Sequence, residues 1–554
     1  MDFKTDFKAD FKNDSRDKVD EPVVSTPNDS SSDFDDDAAL RALGYVPSFK
    51  REFSNLSTIS FAFSIMGMCS SISTTFDTPY VLGGPAAVVW CWILGSTMCF
   101  TLGCSIAEII SAYPTSGGLY MASASLCPKR YRAPVGWVVA WLNLLGQVAG
   151  VSSTEYGLSL MIWSAVSICR DGTFHASQGQ VIGLFAGLLV LHGLLNCLPT
   201  KHLAFITKYF VFVNVGTTLL IIIVLLATTP RSAMNPPQMV FGTQGLSNGT
   251  SGDGIHSWPT GLAFLFGLLS VQWTMTDYDA TAHISEEVKR AAYAAPTAIV
   301  IAVIGTGLIG WLFNIVLILC SGPVTPELLS GGAVIQIMTM RMGKAGAMVL
   351  WTGVCATAFF VVQTAQQATS RTIFAISRDH GLPDRGFFGH MTKATQTPLR
   401  AVALATFLAI IPGLLGFASP VAAFAIFAMC AVSLDLSYII PIACRRIFAN
   451  HPEVMFKPGP FYMGDGFLGL AANVICITWT CFVCVVLSMP TVLPTNKLIF
   501  NYAAPITVGV LLLSTIWYLL SAHKHYKGPM SRPNNPTGEK ERIGPSDEIH
   551  PIPA

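Results

Sequence analysis

Two carboxylates stand inside an otherwise apolar stretch of the chain. The sequence from Gly267 to Arg290 reads GLLSVQWTMTDYDATAHISEEVKR, and its first part continues the apolar run 258–266. Asp277 and Asp279 follow at the depth where a membrane-spanning helix would cross the hydrocarbon core. Charge at that depth is costly, so it normally faces protein, water or a ligand rather than lipid. The neighbouring Thr and Tyr residues compete for backbone hydrogen bonds, which predicts a broken helix of the kind that binds solutes and coupling ions.

The composition predicts an all-α polytopic membrane protein. Of the 554 residues, 52% are hydrophobic and only 12% are charged, whereas soluble proteins carry about 25% charged residues. The apolar residues also occur in runs of about twenty or more, which is long enough to cross a bilayer. The lipid bilayer is therefore an expected partner. A formal net charge of +1 gives no reason to expect nucleic acid.

The apolar runs predict about 12 transmembrane helices. Lys and Arg are about three times more frequent in the loops on the side of the N terminus, and this bias predicts that both termini are cytoplasmic. The predicted spans are 56–82, 86–112, 133–168, 178–199, 203–229, 258–284, 294–320, 333–375, 398–417, 420–446, 467–489 and 500–523.

Polar sequence flanks the membrane domain, which we assign to residues 51–526. Residues 1–50 begin with the repeat DFKT-DFKA-DFKN and continue with Ser- and Asp-rich sequence, which predicts a disordered cytoplasmic tail. Residues 527–554 are predicted to form a second cytoplasmic tail.

The first span is interrupted as well. SFAFSIMGMCSSISTTFDTPYVLGG contains Gly67 followed by a run of Cys, Ser and Thr. Two interrupted helices five spans apart are expected from a 5+5 inverted repeat, here 56–229 and 258–446, with helices 11–12 at 467–523 outside it. The free N–H groups of a half-helix would attract a carboxylate, and the free carbonyls and the aspartates would attract an ammonium group. The alternative for the first span is that Gly and Ser only permit close helix packing.

Three motifs resemble the amino acid–polyamine–choline (APC) superfamily of permeases. They are AEIISAYPTSGGLY at 107–120, YDATAHISEE at 278–287 and SRTIFAISRDHGLP at 370–383. The stretch 183–199 and PGPF at 458–461 make the chain similar to the GABA and amino-acid permeases of fungi and plants. The resemblance covers about residues 45–530. It implies the LeuT-type fold and secondary active transport, usually coupled to protons.

The resemblance also implies site residues. The substrate pocket would lie between the two breaks, and Trp273 would close over the substrate, unless it is a packing side chain. Asp279 would sense the proton. Lys208 would replace a sodium ion, unless it only extends to the membrane interface. The pocket residues are Gly67, Met68, Cys69, Ser70 and Ser71 in the first span and Thr274, Thr276, Asp277 and Asp279 in the sixth.

Asp277 departs from the family pattern, in which a small residue is usual at this position. A second carboxylate could pair with a cationic substrate such as choline, a polyamine or a basic amino acid. It could equally face the dry protein interior, hydrogen-bonded to Thr or Tyr, and the sequence does not separate these alternatives.

Further polar residues suggest proton coupling and a gate. Glu155, in the third span, is a candidate for proton or substrate contact, whereas His192 is expected to be a packing histidine. At the predicted inner mouth lie Glu286, Glu287, Lys289 and Arg290. With Arg371 and Arg378 they could form a cytoplasmic gate of ion pairs, or they could belong to a solvated loop face.

The leading hypothesis is a proton-coupled symporter of GABA or a related amino acid, working by alternating access. A choline, polyamine or basic amino-acid permease and a non-transporting amino-acid receptor are the alternatives. The sequence contains no nucleophile–base pair, metal cluster or phosphate-binding loop, so we expect neither an enzyme nor a cofactor nor a metal site. The plasma membrane is the expected location, with the vacuolar membrane as the alternative, and the oligomeric state is not indicated.

Overall fold

A computed structural model of the protein describes residues 31–45, 47–249, 257–325, 328, 332–417, 419–497 and 500–529. In this part of the chain every regular element is helical, and the one strand-like feature is an isolated parallel bridge between Phe53 and Val288. Eleven helices are long and apolar enough to cross a membrane. The remaining predicted helix is the sixth in chain order, which is apolar only over the short segment Thr260–Thr274 and then breaks. The bundle of apolar helices confirms the predicted fold class.

The spans are numbered here in chain order, from the first to the twelfth. Their helices are Asn55–Met66 with Met68–Thr75, Pro85–Ala112, Lys129–Cys169, Gln178–Asn196, Thr200–Thr207 with Phe210–Thr228, Thr260–Phe266 with Leu268–Thr274 and Ala280–His283, Ala291–Ser321, Ala333–Arg378, Leu399–Gly413, Pro420–Ile447, Phe467–Ser488 and Ala503–Leu520. Additional helices outside the spans are Ser31–Ala42, Gly118–Ser125 and Pro237–Val240, with short turns at Pro79–Gly83, Arg231–Ala233, Thr243–Gly245, Ser285–Glu287, Leu414–Phe417 and Ala522–Lys524.

The eighth helix is unusually long because two helices join at a kink. It runs over 46 residues, and Gly343 has non-helical angles (φ 74°, ψ 165°) within it. The helix continues to Arg378, beyond the membrane-spanning stretch that the sequence predicted.

The two interrupted spans lie at the centre of the bundle. The second span packs along the seventh, and the third packs along both the eighth and the tenth. Contact between the second and seventh spans is what the inverted repeat leads us to expect, since they occupy equivalent places in the two halves. The boundaries of the two repeats remain a prediction.

The outer surface of the bundle is suited to lipid. Large apolar side chains are exposed on several spans. Their exposure would be unfavourable in water but is favourable against the hydrocarbon of a bilayer. Examples are Leu194, Phe212, Leu308, Phe407, Val485 and Leu513.

Both ends of the membrane domain lie on one face of the bundle, which we call the terminal face. The Tyr45 hydroxyl, before the first span, donates to Asp379 at the end of the eighth. Tyr526, after the last span, packs against Trp137 and lies next to Gly381. The two ends of the described membrane domain are therefore on the same side, and the cytoplasmic location of both termini remains a prediction.

The described part of the segment assigned to the N-terminal tail contains a helix and buried aromatic side chains, and the disordered tail itself remains a prediction. Residues 31–42 form a helix, and the side chains of Tyr45, Phe49 and Phe53 are buried. These three aromatic residues are spaced four apart and supply the apolar area that packs this segment against the bundle, although the segment as a whole is acidic. Residues 1–30 and 530–554 lie outside the described residues.

Candidate functional site

The first span breaks at a single residue, Gly67. Its left-handed conformation (φ 47°, ψ 59°) separates the helix ending at Met66 from the one beginning at Met68. A Cβ at Gly67 would lie 2.2 Å from Val361 Cγ2 in the eighth span, so both the backbone conformation and the available space require glycine. The predicted break Gly67–Ser71 is thus shorter than expected. Met68, Cys69, Ser70 and Ser71 form the first turn of the second half-helix, whose leading N–H groups have no partner within the helix.

We expect Gly67→Ala to abolish transport, because the added methyl group must displace Val361 and strain the left-handed turn. Uptake into proteoliposomes measures the loss. Gly183→Ala in the fourth span is the matched control, since nothing lies within 4 Å of the Cβ it adds. Equal uptake by the two variants would contradict the assignment of Gly67 to the site.

The sixth span breaks between Thr274, where one helix ends, and Ala280, where the next begins. Asp277 has a positive φ of 63° in the middle of this break. The Oγ1 atoms of Thr274 and Thr276 are buried and have no hydrogen-bond partner among the described residues. Because buried hydroxyls are normally satisfied, these two indicate a place where water or a ligand binds.

Contacts between the first and sixth spans, on either side of the two breaks, hold the breaks at a similar level. On one side, Thr75 Oγ1 and Ser270 Oγ lie 2.8 Å apart. On the terminal face, Phe53 N donates to Glu287 O at 2.9 Å and Lys289 N donates to Phe53 O at 3.0 Å. The interrupted spans therefore run side by side with their breaks at a similar level, and a substrate pocket between the breaks remains a prediction.

Asp279 is fully buried and is held by three donors from three helices. Oδ2 accepts from Asn143 Nδ2 of the third span at 2.6 Å, and Oδ1 accepts from the Tyr438 hydroxyl of the tenth at 2.7 Å. His283 Nε2, one helical turn further along the sixth span, lies 3.1 Å from Oδ2. This carboxylate thus links the sixth span to both of its neighbours.

The Asp279–His283 contact holds one proton. His283 Nδ1 lies 3.1 Å from the Ser116 carbonyl oxygen, which can only accept, so Nδ1 carries a hydrogen. The proton between Nε2 and Oδ2 then belongs either to an imidazolium facing a carboxylate or to a carboxylic acid facing a neutral imidazole. In either form the pair stores a proton next to the break of the sixth span.

Asp277 is held more loosely than Asp279. Gln147 Nε2 of the third span donates to its Oδ1 at 2.9 Å, and Gln147 is in turn fixed by Thr369 Oγ1 of the eighth span, 3.2 Å from its Oε1. No described residue donates a hydrogen bond to Oδ2. The side chain is 9% exposed, whereas that of Asp279 is 0% exposed.

Trp273 lies beside the break, between the third and tenth spans. Its indole N–H donates to Ser153 Oγ at 3.1 Å, and its ring centroid is 4.8 Å from that of Phe427. This position suits an aromatic lid as well as a packing residue, so its role remains a prediction.

Ion pairs close the terminal face below the breaks. Arg371 Nε and Glu287 Oε1 lie 2.6 Å apart, both fully buried. Arg378 and Glu286 lie 3.3 Å apart. Burial favours the neutral acid, but the Arg378 guanidinium and two hydrogen bonds from Ser116 hold the pKa of Glu286 below its usual range. The predicted pairing of these four residues is therefore present in the structure.

The comparisons with known proteins are consistent with this geometry. A family model described as "Amino acid permease" matches residues 53–512. The chain belongs to the amino acid permease family. It is 42% identical to an uncharacterized amino-acid permease of Schizosaccharomyces pombe, over 90% of this chain and 91% of the relative. It is 37% identical to amino-acid permease 2 of Neurospora crassa, over 92% of each chain. It is 29% identical to the GABA-specific permease of Saccharomyces cerevisiae, over 90% of this chain and 87% of the relative.

Two further residues of the permease, Glu155 and Lys208, were predicted to couple protons. Glu155 Oε2 is 2.8 Å from His192 Nδ1, and both side chains are fully buried between the third, fourth and eighth spans. His192 is thus paired rather than merely packed. Lys208 is half-buried, its ammonium group lies 5.8 Å from the ring centroid of Tyr209, and none of the described residues gives it an ion pair. The role of Lys208 in proton coupling remains a prediction.

Sequence reasoning missed several contacts of the permease. His283 stands four residues after Asp279 on a helix, and this spacing alone could have indicated the pair. Tyr438 gave no signal, because a tyrosine in an apolar span is usually a packing residue. Residues 31–45 and 47–53, which we call the N-terminal strap, were also not expected to contact the gate.

The N-terminal strap covers the gate from the terminal face. The Tyr45 hydroxyl donates to Asp379 Oδ2 at 3.0 Å, and the Arg378 guanidinium lies 4.2 Å from the Tyr45 ring centroid. Burial and the neighbouring Asp379 raise the pKa of Tyr45 well above its usual range, so the hydroxyl remains a donor. Phe49 packs edge-on against Phe374 of the eighth span.

We expect Tyr45→Phe to lower the free energy of unfolding by about 1 kcal/mol, since it removes one buried hydrogen bond and keeps the ring. Thermal unfolding of the purified protein in detergent measures the change. Tyr462→Phe is the matched control, because Tyr462 makes a similar 2.6 Å hydrogen bond to Asp465 at an exposed position. A larger effect at Tyr462 would contradict a stabilising role for the strap.

Proposed function

We propose that the permease is a secondary active transporter that carries GABA or a related amino acid together with a proton, by alternating access. The observation that carries the proposal is the Asp279–His283 pair, a proton-holding contact at the break of the sixth span, linked to the third and tenth spans.

A second proton cannot join this pair without changing the contacts between helices. If it binds Oδ1 of Asp279, the Tyr438 hydroxyl must turn from donor to acceptor. If it binds Oδ2 while the imidazole keeps its own, two hydrogens face each other and the contact is lost. Either event alters how the sixth span is held, which is the physical requirement for coupling a proton to a conformational change.

The first span supplies complementary groups for an amino acid. The N–H groups of Met68, Cys69 and Ser70 open a half-helix and favour a carboxylate. In the preceding half-helix, which ends at Met66, Phe63 O accepts from Gly67 N. The carbonyl groups that follow Phe63 lie at the break and favour an ammonium group. A zwitterion is therefore matched at both ends.

Alternating access also requires a gate. The buried Glu287–Arg371 pair and the Glu286–Arg378 pair close the terminal face in this conformation. Release of substrate to that side requires both pairs and the N-terminal strap to separate. The excess of Lys and Arg in the loops of this face supports a cytoplasmic orientation. We further propose the plasma membrane as the location, with the vacuolar membrane as the alternative.

Uptake of radiolabelled GABA into proteoliposomes under an inward proton gradient tests the proposal. We expect accumulation that collapses when a protonophore is added. Uptake that is indifferent to the gradient would contradict proton coupling. Saturable binding without uptake would contradict transport and favour the receptor reading.

A second candidate function, transport of choline, a polyamine or a basic amino acid, is favoured by Asp277. A second carboxyl group in the break suits a substrate with an additional cationic group.

A further inference from the structure

One residue, Ser116, contacts both the proton-holding pair and the gate. It lies in the short segment 113–117, between the second span and the helix Gly118–Ser125. Its carbonyl oxygen lies 3.1 Å from His283 Nδ1, and its backbone N–H donates to Glu286 Oε1 at 3.1 Å. Its hydroxyl donates to the same oxygen of Glu286. Because Ser116 is fully buried, water does not compete for these contacts.

The segment 113–117 fits closely against the sixth span. Gly118, which follows it, has a left-handed conformation (φ 53°), and a Cβ there would lie 3.0 Å from His283 Cε1. The Gly118 N–H donates to Thr115 O at 2.8 Å, which closes a tight turn around Ser116. In such close packing, a displacement of this turn also displaces the groups that hold Glu286.

Glu286 is held by Ser116 as well as by Arg378. Its Oε1 accepts from the backbone N–H and the hydroxyl of Ser116 and lies 3.3 Å from the Arg378 guanidinium. Without Ser116, Arg378 is the remaining partner of this buried carboxylate among the described residues. Ser116 therefore stabilises the closed form of the gate.

The contact between Ser116 and His283 requires the shared proton of the pair. With that proton in place, Nδ1 carries a hydrogen for the Ser116 carbonyl, and a second hydrogen lies between Nε2 and Asp279. Once the shared proton leaves, the neutral imidazole has one hydrogen for two acceptors. The charged carboxylate attracts this hydrogen more strongly than the carbonyl does, so the hydrogen moves to Nε2. The lone pair of Nδ1 then faces the Ser116 carbonyl oxygen and repels it.

Other titratable and charged groups surround both ends of this path. When Asp277 is ionised, its charge favours the protonated pair, so it shifts the pH at which the proton leaves but not the effect on Ser116. The groups around the pair are Asp277 and Tyr438, and those around the gate are Arg378, Asp379, Tyr45, Tyr120 and the neighbouring Glu287–Arg371 pair.

We propose that Ser116 is a positioning residue that holds the gate closed while the Asp279–His283 pair keeps its shared proton, and that it releases Glu286 when that proton leaves. This inference rests on the proposed function, because it takes the pair to give its proton to the terminal side. The second proton considered above acts on the contacts with the third and tenth spans, whereas loss of the first acts on Ser116. Since such coupling is reciprocal, opening of the gate lowers the affinity of the pair for its proton.

Thiol labelling of a Ser285→Cys parent tests the inference, because Ser285 adjoins Glu286 and is 1% exposed in the closed form. The rate is measured in purified full-length protein from acidic to alkaline buffer. It is divided by the rate at the exposed native Cys169, which corrects for the higher reactivity of thiols at high pH. We expect this relative rate to rise about tenfold as the pair loses its proton, the value for one charge-assisted hydrogen bond.

Ser116→Ala in this parent removes the hydroxyl that holds Glu286. We expect the relative rate to be about tenfold higher already in acidic buffer, and its further rise with pH to be smaller. Ser116→Thr keeps the hydroxyl and should restore slow labelling in acidic buffer. Ser123→Ala is the matched control, because Ser123 is also fully buried but its hydroxyl donates to Leu119 O at 2.6 Å. A purely structural serine would raise the rate by the same factor at every pH.

His283→Asn in the same parent tests the other end of the path. The amide nitrogen of asparagine lies near the position of Nδ1 and donates to the Ser116 carbonyl at every pH. We expect the relative rate to stay nearly constant as the pH is raised.

Proton-driven uptake by the wild type, measured in parallel, separates the inference from the proposed function. Uptake that is indifferent to the proton gradient would overturn the proposed function. Proton-driven uptake together with a relative labelling rate that is constant with pH in the parent, or that rises equally in the parent and in Ser116→Ala, would overturn the role of Ser116 alone. Size-exclusion profiles of the variants report on folding.

Discussion

Asp279→Asn is expected to reduce proton-driven uptake about 100-fold, because it removes the buried carboxyl group that shares a proton with His283 and contacts the third and tenth spans. The asparagine can still contact Asn143 and Tyr438 in part, but it cannot exchange a proton with His283. Exchange of labelled for unlabelled substrate across the membrane requires no net proton movement, and we expect it to survive. The measurement compares gradient-driven uptake with exchange in the same proteoliposomes.

Asp435→Asn provides the matched control for this prediction. Asp435 is another fully buried carboxylate, in the tenth span, and it accepts from Gln272 Nε2 at 2.7 Å. An asparagine can retain that single hydrogen bond, so coupling should persist. If both variants lose gradient-driven uptake equally, or if Asp279→Asn loses exchange as well, the proton role of Asp279 is wrong.

Glu287→Gln is expected to open the terminal face. It leaves the fully buried Arg371 without its charged partner, and breaking such a pair from one side costs about 3–5 kcal/mol. The substitution destabilises the closed conformation, so the open conformation becomes populated. A permanently opened terminal face prevents transport against a concentration gradient. Cysteine substitution at Ser285, which is 1% exposed, allows the opening to be followed by thiol labelling. Labelling should be faster in Glu287→Gln than in the same cysteine variant with Glu287 intact.

An exposed pair on the same protein serves as the control for the gate. Asp171 is 85% exposed and lies 2.8 Å from Lys344, which is 42% exposed, and such pairs contribute about 0–1 kcal/mol. Asp171→Asn should leave labelling and transport nearly unchanged. The charge exchange Glu287→Arg with Arg371→Glu should restore part of the closure. Labelling that is unchanged in Glu287→Gln would show that the pair does not hold the gate.

The sequence by itself determined the membrane-spanning architecture and the positions of the two breaks. Spans are long apolar runs, and their count depends only on local composition. Gly67 and the Thr- and Asp-rich segment before Ala280 break their helices through local backbone preferences, so both could be located without tertiary information. The acidic and basic residues that pair at the terminal face were also recognisable as candidates.

The tertiary structure decided which groups meet. The four-residue spacing relates His283 to Asp279, but only the packing of the helices brings Asn143 and Tyr438 to Asp279 and Gln147 to Asp277. Glu155 meets His192 because the third span packs along the fourth. The N-terminal strap is ordered through contacts with Arg378 and Asp379, more than 300 positions away in the chain. Periodicity and composition describe each helix separately, whereas these partners are fixed by the packing of helices that are distant in sequence.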